Sequence, residues 1–323
     1  MVATQESATA KLCSFARAFH SNTEPSKIFD DQLAYDLMGQ SEYNQIGQLV
    51  QNGFDDALLD PNRDFSSSAI RAVLNQYILP IPISRIAFAE QSLRDFSETH
   101  KRCQYVICGA GMDSFAFRNE NPGIEVFELD HPDTQRYKLS RIKALEWNIP
   151  ENVHYVPVDF NVDTLRDALL RSGFDPSVPT FTTVLGVAYY LTLPVFERTL
   201  ADIGALSVEG SRLIFDYPDE TTFSPSAVER VCRLCEITAA LGEPMTQGFS
   251  FSTLQEALRR QSFAVEAHLK PKDIQRRYFV QRIDGLCAFE NTHFISAVKK
   301  RLSQNHNDQE ATLWQLIKKS NPL

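Results

Sequence analysis

The chain has 323 residues, 43% of them hydrophobic, enough to bury a large core in one elaborated domain but short for two well-separated ones. The net charge is −9 and the basic residues are scattered, which argues against a phosphate-tracking surface and so against nucleic acid as a partner. No run reaches the roughly 20 apolar residues that span a bilayer and no secretory signal opens the sequence, so a cytoplasmic protein with no membrane partner is expected.

Residues 8–96 carry helical periodicity, broken at Asp60-Pro61-Asn62 and at the Pro80/Pro82 pair. They read as a cap, within a division into a helical region 1–100, an α/β core 101–300 and a C-terminal tail or helix 301–323. From Tyr105 onward apolar runs alternate with amphipathic ones. Strands are expected near 105–108, 124–129, 153–158, 180–185 and 211–216, with helices near 132–147, 163–171 and 194–206. That alternation predicts a parallel, doubly wound sheet. Phe263 to Leu269 and His293 to Val298 are further strand candidates, and insertions at about 217–250 and 271–290 are expected to cover a substrate. Aromatic residues such as Phe15, Phe19, Tyr35, Phe223 and Phe249 could supply pocket walls, with core packing as the alternative for each. Cys232 and Cys235 have C-x-x-C spacing but fall in a predicted helix, 227–241, and lack a second pair, so no metal site is expected. Cys108 reads as a small apolar residue, and disulfides are not expected.

The stretch Val106-Ile107-Cys108-Gly109-Ala110-Gly111-Met112-Asp113 is the most informative, because a second apolar run follows it and ends in Phe127-Glu128-Leu129-Asp130. A buried strand, a glycine turn, a helix start and a second strand ending in an acid, roughly 20 residues on, make a nucleotide-binding half-unit. A dinucleotide site wants a third glycine; here Met112-Asp113-Ser114-Phe115 follows, and Asp113 would neutralise the positive end of the helix that a pyrophosphate needs. A cationic, phosphate-free ligand such as S-adenosyl-L-methionine suits the loop better than NAD(P); a plain strand-to-helix turn is the other reading. Gly109 and Gly111, with Ala110 between them, should flank the amino-acid part of such a cofactor. Asp130 is placed to accept from both ribose hydroxyls, with Glu128, two residues earlier on the same face, as its rival. Asp159 and Phe160, at the end of the third strand, suit the adenine amino group and ring, although Asp159 could instead cap the next helix.

The segment Gln104 to Lys143, with GAGMDSFAFR and FELDHPDTQRYKLSRIK, resembles the leucine carboxyl methyltransferase family, which includes bacterial and polyketide-tailoring O-methyltransferases. The resemblance runs from about Phe15 to about Lys299 and includes Ile83-Ser84-Arg85, Val156-Pro157-Val158-Asp159-Phe160 and the run from Leu185 to Leu191. It implies a class I methyltransferase fold: a Rossmann-like, doubly wound sheet of seven strands, the last antiparallel, with a helical cap. It also implies that Arg85 binds the cofactor carboxylate through its planar fork, for which a surface arginine is the alternative. Arg17 is a second candidate on a looser match. At the fourth strand the chain departs from much of the family, since Leu185 stands where a glutamate is common. Recognition of the cofactor's ammonium group then falls to backbone carbonyls or another acid.

The implied reaction is an in-line displacement at a sulfonium methyl group, with the protein contributing alignment and exclusion of water. Tyr189, Tyr190 and His131 lie near strand ends where they could face the methyl acceptor, or simply pack. The favoured reading is an S-adenosyl-L-methionine-dependent O-methyltransferase acting on a carboxylate or hydroxyl of a small molecule. The alternatives are a protein C-terminal carboxyl methyltransferase, an NAD(P)-dependent oxidoreductase and a non-catalytic cofactor-binding protein.

Overall fold

A computed structural model describes residues 6–54 and 67–301. The Asp60-Pro61-Asn62 break and the expected tail beyond Arg301 lie outside the described residues. Helix α1 (Ala8–Thr23) is followed by α2 (Ala34–Met38), α3 (Gln40–Gln51), α4 (Ser67–Val73) and α5 (Pro80–Thr99). The proline pair joins α5 to α4 rather than separating them. Pro80 has no N–H to donate, and the turn before it, Leu74–Ile78, widens into a π-helix in which the Leu79 N–H reaches the Leu74 carbonyl at 2.8 Å.

The seven strands are β1 (Cys103–Cys108), β2 (Ile124–Asp130), β3 (Val153–Pro157), β4 (Thr180–Val184), β5 (Arg212–Pro218), β6 (Phe263–Leu269) and β7 (Thr292–Lys299). They form one sheet in the order β3-β2-β1-β4-β5-β7-β6. The first five are parallel, while β7 runs antiparallel to both β5 and β6. This is the expected class I methyltransferase sheet. A short α6 (Phe115–Arg118) follows the glycine turn, and the connecting helices α7 (Pro132–Ala144), α8 (Leu165–Arg171) and α9 (Leu193–Leu206) lie close to their predicted places. Pro132 opens α7, where a missing N–H costs nothing. Beyond β5 come α10 (Glu229–Ala240) and α11 (Phe251–Arg260), and Cys232 and Cys235 fall on α10.

Alternation along the strands divides the core. Cys103, Tyr105 and Ile107 of β1 point to the face covered by α1, α3 and α5, where they share one apolar cluster with Phe15, Phe19, Ile83 and Phe88. Val106 and Cys108 point to the opposite face, packed by α8, α9 and α11 through Leu169, Phe196 and Leu254. Strand β1 is buried on both faces, as a central parallel strand must be. Among the described residues no helix is long and apolar enough to cross a membrane. The strand order reverses between β1 and its neighbours β2 and β4, so the loops after β1 and β4 diverge and leave a crevice at their carboxyl ends, where ligands of open α/β sheets bind.

Candidate functional site

Gly109 and Gly111 adopt φ values of +73° and +52°, which let the loop after β1 fold back on β2. The N–H groups of Gly109 and Ala110 donate to the Leu129 carbonyl at 2.8 and 3.0 Å. The Gly111 N–H donates to Asp130 Oδ2 at 2.5 Å, and the His131 N–H to Asp130 Oδ1 at 2.7 Å. Loop and carboxylate are therefore one unit, built across 19 residues of sequence. Burial pushes the Asp130 carboxyl up from its usual range, and the two backbone N–H groups act against that rise. The rival Glu128 forms an ion pair with Lys138 of α7 in which both side chains are 1% exposed. It serves the interior, and Asp130 alone of the two faces the crevice.

The crevice is a cavity of about 770 Å³. At one end Asp130, His131, Asp159 and Phe160 line it. Asp159 lies two residues beyond the end of β3 and is not a cap for α8, which begins only at Leu165. Instead its Oδ1 accepts from the Asn161 N–H at 2.9 Å, closing an Asx turn. His131 caps α7 through Nδ1, which accepts from the Asp133 N–H at 3.3 Å, and its ring is 48% exposed at the rim. Asp113 accepts from the Phe115 N–H at 2.6 Å and so places its charge at the start of α6, as the sequence suggested.

Arg85 lines the cavity and is not a surface arginine. Its Nη1 donates to Asp216 Oδ2 at 3.1 Å, an ion pair whose side chains are 13% and 0% exposed. The other oxygen of Asp216, on β5, accepts from the Gly186 N–H at 2.6 Å. Arg85 Nε has no hydrogen-bond partner although it is buried. Asp216 was not among the candidates from the sequence, yet it ends the predicted fifth strand, the kind of position at which Asp130 and Asp159 were sought. Leu185, Tyr189 and Tyr190 line the cavity beside this pair. Tyr189 is buried against Arg85 and Asp216, and its hydroxyl makes no hydrogen bond of regular geometry.

Helix α1 roofs the cavity. Thr9, Ala10, Cys13 and Arg17, one face of the helix, look inward, whereas Phe15 and Phe19 look down into the cap core. The Glu243 carboxylate fastens this roof, accepting from the Ser7 hydroxyl at 3.0 Å, the Ala8 N–H at 2.6 Å and the Thr9 hydroxyl. Arg17 donates to Asp31 at 2.9 Å and to the Met112 carbonyl at 2.7 Å, so its fork is spent in tying the cap to the glycine loop. The opposite wall is apolar and comes from Ile78, Ile81, Leu234, Ile237 and Met245.

Two expectations need correction. None of the five aromatic residues named as pocket walls lines the cavity. Phe15, Phe19 and Phe249 are buried in the core, Tyr35 packs edge-on against Tyr43 at 4.9 Å, and Phe223 is 50% exposed. Large rings fill the space between elements, and the smaller residues of α1 are left to face the cavity. The insertion at 217–250 does contribute wall residues, but the one at 271–290 contributes none. Its apolar residues Ile274, Phe279, Leu286 and Phe289 pack into the cap cluster instead.

Residues 10–204 match the sequence profile of a family described as leucine carboxyl methyltransferase. The chain is 35% identical over 303 residues to a Bacillus subtilis protein named "Putative S-adenosyl-L-methionine-dependent methyltransferase YktD", covering 92% of this chain and 99% of that one. A relative of the same description from Mycolicibacterium smegmatis is 32% identical over 223 residues, covering 68% of this chain and 69% of its own. Among solved structures, a duf574 family protein from Streptomyces avermitilis is similar at a TM-score of 0.49 and 14% identity, over 79% of this chain and 97% of its own. The nicotinamide-dependent and non-catalytic readings find no support in these matches. The chain belongs to the leucine carboxyl methyltransferase family and is an S-adenosyl-L-methionine-dependent methyltransferase.

Proposed function

We propose that this chain is an O-methyltransferase whose acceptor is a small molecule rather than the end of a protein chain. The observation that supports this reading is the size of the cavity and its apolar wall. A cavity of about 770 Å³ lies within the range of about 300–1,000 Å³ typical of small-ligand pockets, and it has to hold cofactor and acceptor together. Its roof is α1, which Glu243 fastens in place over the apolar wall.

In the same reading the fork of Arg85 takes the cofactor carboxylate, and Gly109, Ala110 and Gly111 flank the amino-acid part. Asp130 accepts from the ribose diol, Asp159 and Phe160 meet the adenine, and Leu185 gives an apolar contact between them and Arg85. The cofactor supplies an electrophilic methyl group on a sulfonium centre. The chain's own residues align the acceptor oxygen and keep water out. Burial pushes the Tyr189 and Tyr190 phenols up, so both stay protonated and are poor bases. His131 stands at the rim near Asp159, away from the apolar wall. A carboxylate acceptor, ionised without help, fits such a site better than a hydroxyl that must lose a proton. We also read residues 1–323 as one methyltransferase domain, a reading supported by the apolar cluster that the cap shares with the sheet.

Ile237→Trp tests the acceptor half of the site. The indole would grow from α10 into the apolar end of the cavity and crowd the acceptor without touching the glycine loop. Calorimetry should find S-adenosyl-L-methionine affinity nearly unchanged, while turnover falls about 100-fold, the scale of loss when a reactant is misplaced by about 1 Å. Full turnover in the folded variant would place the acceptor elsewhere.

A further inference from the structure

We propose that Asp216 is a positioning residue that selects which edge of the Arg85 guanidinium faces the cofactor; the proposal rests on the reading that Arg85 takes the cofactor carboxylate. A guanidinium offers a carboxylate two parallel N–H groups along one edge, and Nε with Nη2 form such an edge. Asp216 occupies Nη1, on the far side. That leaves Nε without a partner, and Nη2 with only the Cys13 thiol at 3.9 Å. Nε is thus an orphaned buried donor, which a carboxylate seated on this edge would satisfy.

The second grip on Arg85 is Gly186. Its φ is +71°, and a Cβ at that position would lie 2.4 Å from Arg85 Nη2, so the guanidinium rests directly against the glycine backbone. Asp216 holds Gly186 from below at 2.6 Å and Arg85 from the side at 3.1 Å, and so fixes the arginine and the surface it rests on together. Gly186 follows Leu185, which brings no charge to this loop. The negative charge near this loop therefore sits behind it on β5, where it orders the loop and the arginine without entering the cavity. Asp216 is wholly buried, and Arg85 is the cation it neutralises.

The test compares two ligands by calorimetry: S-adenosyl-L-methionine, and 5′-methylthioadenosine, which lacks the amino-acid carboxylate. Asp216→Asn keeps an acceptor for the Gly186 N–H but removes the charge from Arg85. It should weaken S-adenosyl-L-methionine about tenfold or more, the loss expected of one charge-assisted hydrogen bond, and leave 5′-methylthioadenosine within about twofold. Equal losses for both ligands, or no loss for either, would overturn the proposal. If Asp216→Asn does not fold, Asp216→Ser leaves the same arginine unpaired in a smaller side chain and is read by the same ratio. Arg85→Lys separates the two layers of the argument. If it leaves the ligand ratio unchanged, the Arg85 reading itself is wrong. If it shifts the ratio while Asp216→Asn does not, Arg85 binds the carboxylate unaided and only the role of Asp216 fails.

Discussion

Gly111→Val should abolish cofactor binding. Gly111 sits at φ +52°, a conformation that a β-branched residue adopts only with strain of about 1–3 kcal/mol. Space is closed as well: an added Cβ would lie 3.1 Å from the Cβ of Ala10, so the two further methyl groups of valine would press into the α1 roof or into the cavity. Either way the loop has to move, and the Gly111 N–H that now ends on Asp130 moves with it. Titration with S-adenosyl-L-homocysteine should give no heat of binding from a protein that still melts cooperatively. Binding at wild-type strength would mean that the loop does not touch the ligand.

Asp130→Ala should weaken S-adenosyl-L-methionine by about 2 kcal/mol or more, because hydrogen bonds to a charged group are each worth roughly 1.5–3 kcal/mol. The structure adds a second reason. Each Asp130 oxygen already accepts one backbone N–H, from Gly111 or His131, and a carboxylate oxygen has a second lone pair left for a ribose hydroxyl. Alanine removes the ribose contact and releases the glycine loop together. Asp130→Asn, which keeps one good acceptor, should lose less. Glu128 cannot take over, since it is held in the interior by Lys138. Unchanged affinity in folded Asp130→Ala would end the ribose assignment altogether.

These positions differ in how far the sequence could disclose them. The half-unit from β1 to β2 was legible because its signals are local: a buried run, two glycines and a terminal acid within one short stretch. The choice between Glu128 and Asp130 was open to sequence only as a preference. Both lie on one face of β2, and what separates them is Lys138, a neighbour that period and spacing do not reveal. Arg85 could be singled out by resemblance, but its partner Asp216 is 131 residues away and meets it only because α5 packs across the ends of β4 and β5. The helical cap was expected to cover the site, but which residues of α1 face it was not legible. Besides Arg17, which the resemblance singled out, the cavity-facing side of α1 includes Thr9, Ala10 and Cys13, residues too small to draw notice, while the conspicuous Phe15 and Phe19 belong to the core. The Glu243 latch bridges 234 to 236 residues and leaves no local pattern at all.

The central claim, methyl transfer to a small molecule enclosed beneath the cap, is tested most directly by following the methyl group itself. The protein is incubated with methyl-labelled S-adenosyl-L-methionine and an extract of the cells that make it, and the products are separated by size. The account predicts label in the low-mass fraction, released as methanol by mild alkali as a methyl ester would be, and absent when Gly111→Val replaces the natural chain. Label confined to the protein fraction, at carboxyl termini, would contradict it.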